Sequence, residues 1–397
     1  MNTKANSILS IPTSSRLEGI GEYYFSAKLR EIDELNKQGK AIINLGIGSP
    51  DQPPHPDVIQ TLQQNALLPN SHGYQNYKGI PALREAISAW YLGNYGVQLD
   101  PAHEILPLMG SKEGILHICM TYLQSGDQAL IPNPGYPTYK SAVQLAGADP
   151  VEYELSAHNE WVPDWEALNN MDLRKVKIMW VNYPHMPTGK NADTALFQQL
   201  IRFGKKHGIL ICHDNPYSFI LNEKPQSILG IEGAREVAIE LNSLSKSHNM
   251  AGWRVGMLCG ASDRITEVLR FKSNMDSGMF LPVQMAAVTA LQLGSSWNEE
   301  LNQMYLHRKK KATTLLELIG CQVKTNQSGL FLWSEIPASE SDAYVLSDKI
   351  LYTAGVFLTP GGIFGSAGNR YLRISLCASE EKMQAAIERL QQHMSNK

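Results

Sequence analysis

A lysine, two serines and an arginine lie close together in one segment of the chain. Lys246 follows the apolar stretch 237–244, a predicted buried strand, and Arg254 stands eight residues further on. A lysine amine on a loop that leaves a buried strand is partly desolvated, which lowers its pKa and suits it to Schiff-base formation. The hydroxyls of Ser243 and Ser245 and the Arg254 guanidinium suit an anion such as phosphate. Taken alone, these residues fit a polar loop with a solvated lysine equally well.

Other polar groups follow predicted strands elsewhere in the chain. Gly110-Ser111-Lys112 opens a predicted helix, whose free N–H groups can bind phosphate; the Walker A spacing is absent, and a capped helix start without a ligand is the alternative. Asp214 ends an apolar strand at the sheet edge where ligands bind in α/β proteins. A buried carboxylate there needs a partner, either a protonated ring nitrogen or the N–H groups of an Asx turn. Tyr136, on a proline-rich turn, could stack on a flat cofactor or pack in the core.

The predicted elements that position these groups form an α/β protein. Short apolar runs alternate with amphipathic helical patterns from about residue 41 to 294, which is typical of a largely parallel sheet. We expect a large domain over 46–294, with a mostly parallel seven-stranded sheet between helices. A smaller α+β domain is expected from both chain ends, 1–45 and 295–397. The candidate strands are 41–45, 104–109, 128–132, 177–183, 208–214, 237–244 and 254–260, and the clearest helices are 81–94, 111–124, 192–207 and 262–274.

Composition limits the classes of partner. The 397 residues carry 35 Lys and Arg against 38 Asp and Glu, a net charge of −3, which is too near neutral for a protein that coats nucleic acid or anionic membranes. Signal-peptide and membrane-span patterns are absent from the sequence, and the 5 scattered cysteines lack metal-ligand spacing. We therefore expect a cytoplasmic protein with small-molecule partners and no metal, membrane or nucleic acid.

Taken in chain order, these segments resemble the fold-type-I pyridoxal-phosphate (PLP) enzymes, and specifically the class I and II aminotransferases, from about residue 16 onward. The resemblance also includes Asp214-x-x-Tyr217 and the late Leu372-Arg373-Ile-Ser motif. GEYYFSAKLREI, NLGIGSPD and KSNMDSGMF look most like the LL-diaminopimelate aminotransferase branch. The resemblance implies the fold-type-I architecture, PLP as cofactor, and amino transfer between an L-amino acid and a 2-oxo acid. The expected acceptor is 2-oxoglutarate, in a ping-pong aldimine and ketimine mechanism.

The resemblance implies a role for each cofactor-binding residue. Lys246 would hold PLP covalently and then carry the proton between the substrate Cα and the cofactor. Asp214 would keep the pyridine nitrogen protonated, which deepens the electron sink. Tyr217 would hydrogen-bond the phenolic oxygen, and Tyr136 would stack on the ring. The phosphate would be bound by Ser111, Lys112, Ser243, Ser245 and Arg254.

Substrate binding and assembly follow from the same resemblance. Arg373 would hold the substrate α-carboxylate with two hydrogen bonds, helped by the Gly48 backbone. Tyr23 is expected to line the entrance. Tyr77 would reach the phosphate bound by a neighbouring subunit, which requires a homodimer with shared active sites.

One position departs from the family pattern. The family usually has Asn-Pro-Thr-Gly where this chain has Met186-Pro-Thr-Gly189, so a thioether replaces an amide that donates to the phenolic oxygen. Loss of that donor should raise the aldimine pKa and slow turnover, unless Tyr217, Asn182 or a water molecule compensates.

Three alternatives stay open at this point. The same scaffold and cofactor serve β-lyases, decarboxylases and cyclopropane-forming synthases. A non-catalytic PLP-binding sensor domain is disfavoured, because such regulators carry an N-terminal winged helix and the enzyme-like segment here begins near residue 16. A dinucleotide-binding protein is disfavoured because Gly46-Ile-Gly48 lacks the third glycine and Pro50 follows. The sequence does not identify the amino donor.

Overall fold

A seven-stranded sheet forms the centre of the protein, whose structure is a computed structural model describing residues 11–22 and 24–395. Its strand order is β2-β8-β7-β6-β5-β3-β4, and every neighbouring pair is parallel except the two that involve β8. The mostly parallel seven-stranded sheet is as predicted. The strands of the protein are β1 (Ile43–Asn44), β2 (Ile105–Leu108), β3 (Gln128–Asn133), β4 (Asp149–Glu154), β5 (Val176–Asn182), β6 (Leu210–Asp214), β7 (Ala238–Ser243), β8 (Gly256–Gly260), β9 (Gln322–Val323), β10 (Phe331–Glu335), β11 (Val356–Phe357), β12 (Thr359–Pro360) and β13 (Tyr371–Ser375).

Helices cover both faces of this sheet and the smaller sheets beside it. The predicted helices 81–94, 111–124, 192–207 and 262–274 all exist, with ends within two residues of those expected. The helices are α1 (Tyr24–Lys37), α2 (Pro56–Ala66), α3 (Pro81–Tyr95), α4 (Ser111–Tyr122), α5 (Pro137–Leu145), α6 (Trp165–Asn169), α7 (Thr194–His207), α8 (Ala234–Val237), α9 (Leu244–Ser247), α10 (Ser262–Lys272), α11 (Leu281–Leu291), α12 (Ser295–Leu318), α13 (Ala343–Ala354) and α14 (Glu380–Ser395).

Two strand assignments differ from the prediction. The run 41–45 does not join the central sheet; its β1 pairs in parallel with β11 near the other end of the chain. The seventh central strand is β4, which the sequence analysis did not identify. It is an edge strand, Asp149-Pro-Val-Glu-Tyr-Glu154, in which only Tyr153 is buried, whereas the prediction relied on apolar runs typical of strands buried on both faces.

Described segments near the two ends of the chain lie against each other. A four-stranded antiparallel sheet, β12-β13-β10-β9, packs with α12 and α13, and α14 packs on these two helices. Lys28 on α1 donates to Asp348 on α13 at 3.0 Å, and Arg389 on α14 donates to the Ala41 carbonyl at 2.8 Å. These contacts agree with a smaller unit built from both ends, while the boundaries at 45/46 and 294/295 stay a prediction.

Candidate active site

The carboxyl ends of the central strands open onto a cavity of about 640 Å³, the size of a small-molecule site. Parallel strands bring their carboxyl ends to one edge of a sheet, so residues far apart in sequence meet there. The lining includes these predicted site residues: Gly48, Ser111, Lys112, Tyr136, Asp214, Tyr217, Ser243, Ser245, Lys246, Arg254 and Arg373. Tyr77 is exposed on the loop before α3 and does not belong to this lining. Tyr23 lies outside the described residues.

Lys246 lies on the short helix α9, directly after β7. Its Nζ donates to the carbonyl oxygen of Gly48 at 2.5 Å. Burial lowers the pKa of Lys246, and the nearby positive charges of Arg373 and Arg254 act in the same direction. A lysine with a lowered pKa is more often an unprotonated nucleophile, as Schiff-base chemistry requires.

A cradle for an anion lies between the start of α4 and the lysine loop. The N-cap of α4 is Gly110, at φ +90°, and a Cβ built there would lie 2.0 Å from Arg254 Nη2. A glycine cap brings no side chain to the first N–H groups of the helix, which stay open to an anionic ligand. Arg254 donates to the Ala251 carbonyl at 2.8 Å, and its Nη1 is 3.5 Å from Ser245 Oγ. These groups fit a phosphate.

Asp214 is buried, and one of its two carboxylate oxygens has no hydrogen-bond donor among the described residues. Its Oδ2 accepts a hydrogen bond from the Tyr139 hydroxyl at 2.8 Å, while Oδ1 has no donor among the residues that the structure describes. Burial raises the pKa of Asp214 to about 6. An unmatched buried carboxylate oxygen is costly, so the site fits a ligand that brings an N–H of its own, such as a protonated pyridine.

Tyr139 is a site residue that sequence reasoning missed. Its ring stacks on Trp180 with centroids 5.0 Å apart and planes at 7°, and it meets the ring of Tyr136 edge-on at 5.6 Å. The signal was present in Pro134-Gly-Tyr-Pro-Thr-Tyr139, but only the first tyrosine of that turn was singled out. Tyr139 orients the Asp214 carboxylate, and burial raises its pKa, so it stays a hydrogen-bond donor.

Arg373 lines the same cavity and is held by contacts on more than one side. Its Nη2 donates to the Gly46 carbonyl at 2.7 Å, and its Nη1 is 3.3 Å from the Met186 sulfur. The guanidinium lies 3.9 Å from the ring centroid of Phe331 and 4.6 Å from that of Phe364. The arginine is thus fixed within apolar and aromatic surroundings, which strengthens its attraction for a carboxylate.

Met186 has a contact that the sequence analysis did not foresee. The prediction treated it only as a lost donor to the phenolic oxygen, but its sulfur also touches Arg373. Asn182 is a candidate compensating donor, but both polar atoms of its side-chain amide bond to the backbone. Nδ2 donates to the Asp214 carbonyl at 2.6 Å, and Oδ1 accepts from the Met186 N–H at 2.7 Å. Tyr217 is the better candidate, because burial raises its pKa and keeps its hydroxyl protonated.

Comparison with known proteins identifies the family. The profile of the family described as "Aminotransferase class I and II" matches residues 40–390. The chain belongs to this family. An LL-diaminopimelate aminotransferase of Dehalococcoides mccartyi is 40% identical over 382 residues, covering 95% of this chain and 97% of that protein. The enzyme of the same name from Halothermothrix orenii is 38% identical over 379 residues, covering 95% and 97%.

Solved structures agree in fold. The apo BacF structure from Bacillus subtilis superimposes with a TM-score of 0.92 at 36% identity, over 96% of this chain and 98% of that one. An aminotransferase from Staphylococcus aureus gives 0.87 at 30% identity, with the same coverage. The protein is therefore a PLP-dependent aminotransferase of fold type I, acting on small-molecule amino acids and 2-oxo acids, as the resemblance implied. Across the described ranges, no helix is long and apolar enough to cross a membrane.

Proposed function

We propose that Lys246, Asp214 and Arg373 are the three groups on which amino transfer in this cavity depends. The observation that carries the proposal is the buried Asp214, which lines the cavity beside Lys246 with one carboxylate oxygen unmatched by any described donor. PLP, when bound, supplies an electron sink for the charge that develops at the substrate Cα. The protein residues bind and orient the cofactor and the substrate, and they move protons between them.

Lys246 acts twice in this proposal. Its amine, partly buried and with a lowered pKa, would make the covalent link to the cofactor. When free of that link, the same Nζ would carry the proton between the substrate Cα and the cofactor. Its present hydrogen bond to the Gly48 carbonyl places it beside the segment expected to contact the substrate carboxylate.

The other residues orient the cofactor and the substrate. Arg373 binds the α-carboxylate with its planar fork, with the Gly48 backbone assisting. Tyr136 would stack on the cofactor ring, and Tyr217 would donate to its phenolic oxygen. The phosphate would be held at the start of α4 and on the lysine loop by Ser111, Lys112, Ser243, Ser245 and Arg254. In a homodimer, Tyr77 of one subunit would reach the phosphate of the other.

We propose 2-oxoglutarate as the acceptor and the cytoplasm as the compartment. LL-diaminopimelate is one candidate donor, because relatives at 36–40% identity carry that name. The test is a half-reaction screen: the purified PLP enzyme is mixed with single amino acids, including LL-diaminopimelate and L-glutamate, and the bound cofactor's spectrum and the 2-oxo acid released are followed. The proposal fails if none of the amino acids is converted.

The screen carries a prediction for Arg373. In Arg373→Lys, the ammonium cannot form the paired hydrogen bonds of a guanidinium, so we expect about 10- to 100-fold weaker amino acid binding in the half-reaction. Binding of PLP itself should be unchanged, which serves as the internal control. Equal amino acid affinity in the variant and the parent would show that the carboxylate binds elsewhere.

Met186 gives a second prediction. In Met186→Asn, an amide N–H is restored beside the phenolic oxygen, so the pKa of the bound cofactor's yellow protonated form should fall. One hydrogen bond to a charged oxygen contributes about 1.5–3 kcal/mol, and about 1.4 kcal/mol corresponds to one pKa unit, so the largest expected shift is about one to two units. A spectrophotometric pH titration of both proteins measures it. An unchanged or higher pKa in the variant would contradict the assigned position of Met186.

The homodimer is a third prediction. Tyr77 is exposed, as are Tyr74, Met275 and Phe280. The loop of Tyr77 contacts the 272–280 segment, because Lys272 donates to the Tyr77 carbonyl and the rings of His72 and Phe280 meet. Such a patch is typical of an interface. Sedimentation at micromolar concentration should give a mass near twice 44.1 kDa. A monomer with full activity would refute the role of Tyr77 in the partner's site.

A further inference from the structure

A buried pair of ionisable side chains lies next to Asp214, within the central sheet. His213 directly precedes Asp214 on β6, and Glu240 on β7 is its register partner across the strands. Neighbouring residues of a strand project to opposite faces, so His213 and Glu240 share a face away from the Asp214 carboxylate. Both side chains are fully buried. A charged pair in such a place is costly unless its hydrogen bonds are complete.

Hydrogen-bond donors from α3 and from the 227–228 turn converge on the carboxylate of Glu240. Oε1 accepts from the Tyr91 hydroxyl at 2.8 Å. Oε2 accepts from the Ser227 hydroxyl at 2.9 Å and from the Ile228 N–H at 3.1 Å. The Ser227 hydroxyl in turn accepts from the Leu229 N–H, so its own proton points to Glu240. Several donors converging on one carboxylate favour the charged form.

Both nitrogens of the His213 imidazole face oxygen atoms. Nε2 lies 2.9 Å from the Tyr183 carbonyl oxygen, which can only accept. Nδ1 lies 2.9 Å from Glu240 Oε2, a carboxylate oxygen. An imidazolium donates from both ring nitrogens, so these two contacts fit one.

Neutral and aromatic side chains pack against this pair. Burial raises the pKa of Tyr91 and Tyr95 on α3 and of Cys259 on β8, so all three face the pair in neutral form. The ring of Phe197 on α7 meets the imidazole at 5.0 Å. The positive charge of such an imidazolium acts on Asp214, with Glu240 as its hydrogen-bonded counter-charge. It lowers the pKa of Asp214, in opposition to burial.

We propose that His213, kept charged by Glu240, is a positioning residue. It favours the form in which the proton between Asp214 and the cofactor's ring nitrogen lies on the nitrogen. The inference rests on the proposed pairing of Asp214 with that nitrogen. A positive charge on the adjacent residue of the strand favours the ionised acid and the protonated ring over the neutral acid and the neutral ring. Without it, the proton shifts towards the Asp214 oxygen, and the electron sink becomes shallower.

The test uses three variants of the PLP-loaded enzyme: His213→Gln, Glu240→Gln and the double variant. His213→Gln and the double variant remove the imidazole itself. Glu240→Gln removes the partner that keeps the imidazole charged. The double variant leaves no unpaired buried charge and should fold like the parent, as a thermal melt will check. Ser227→Ala is the matched control, since it removes a hydrogen bond from the same cluster and keeps both charges.

The readout is the ¹⁵N NMR signal of PLP labelled at its ring nitrogen, recorded at about pH 7.5. The parent and Ser227→Ala should give a protonated-pyridine signal, while all three charge variants should move towards the neutral-pyridine value, with the ratio of the two forms changed about tenfold. A double variant that melts like the parent and keeps the parent's signal would overturn the proposal. If Asp214→Asn also keeps that signal, the proposed pairing of Asp214 fails instead.

Discussion

Replacing Lys246 with alanine is expected to abolish covalent attachment of PLP and to slow amino transfer by about 10⁴-fold or more. The variant loses both the amine that links to the cofactor and the base that moves the Cα proton, and proton transfer by a positioned side chain alone contributes up to about 10⁴-fold. The cavity is otherwise intact, so PLP should still bind without a covalent bond. Single-turnover half-reactions, followed by the visible spectrum of the cofactor, measure the loss.

Lys112→Ala supplies the matched control for that experiment. Lys112 lines the same cavity and is the other lysine within its described lining. Its removal should leave the covalent link in place, because its expected contact with the phosphate is non-covalent. A Lys246→Ala protein that still attaches PLP covalently would show that a different amine is the anchor.

Replacing Asp214 with asparagine is expected to lower the rate of amino transfer by about 10²- to 10³-fold and to weaken PLP binding. The substitution keeps the shape and the hydrogen bond from Tyr139 but removes the charge that faces a protonated ring nitrogen. Truncating one partner of a buried charge pair costs about 2–5 kcal/mol, and each 1.36 kcal/mol corresponds to about tenfold in rate. A variant as active as the parent would show that Asp214 does not contribute to amino transfer.

The pH dependence of PLP binding tests the ionisation of the same Asp214 carboxylate. Burial raises the pKa of Asp214 to about 6 in the unliganded protein, so the carboxyl is neutral below that pH and cannot pair with a charged ring nitrogen. Affinity of the parent apoprotein should therefore fall as the pH drops through about 6. Equilibrium binding to Asp214→Asn should lack this component, while both proteins share any titration of PLP itself. Parallel pH profiles would contradict the assignment.

The cavity residues could be predicted because their motifs are short and follow strand ends. Ser243 to Arg254 lie in one segment, and the topology of a parallel sheet brings that segment beside Asp214. No such local pattern exists for β4, an edge strand whose side chains, except that of Tyr153, are exposed or half-buried. The prediction of helices succeeded where their amphipathic faces were long, as in α7.

Contacts between distant parts of the chain could not be read from the sequence. Tyr139 reaches Asp214 across 75 positions, and Met186 reaches Arg373 across 187. The charged state of His213 depends on Glu240, on the next strand, and on donors that loops bring to that carboxylate. Such contacts are fixed by packing and strand register, which local residue patterns do not specify.

The identity of the covalent anchor tests the central claim most directly. Borohydride reduction of the PLP-loaded enzyme, followed by proteolysis and peptide mapping by mass spectrometry, locates the amine bonded to the cofactor. We predict one pyridoxyl label, on Lys246. A label on Lys112 or on Lys272, or the absence of any label after reduction, would contradict the proposed active site.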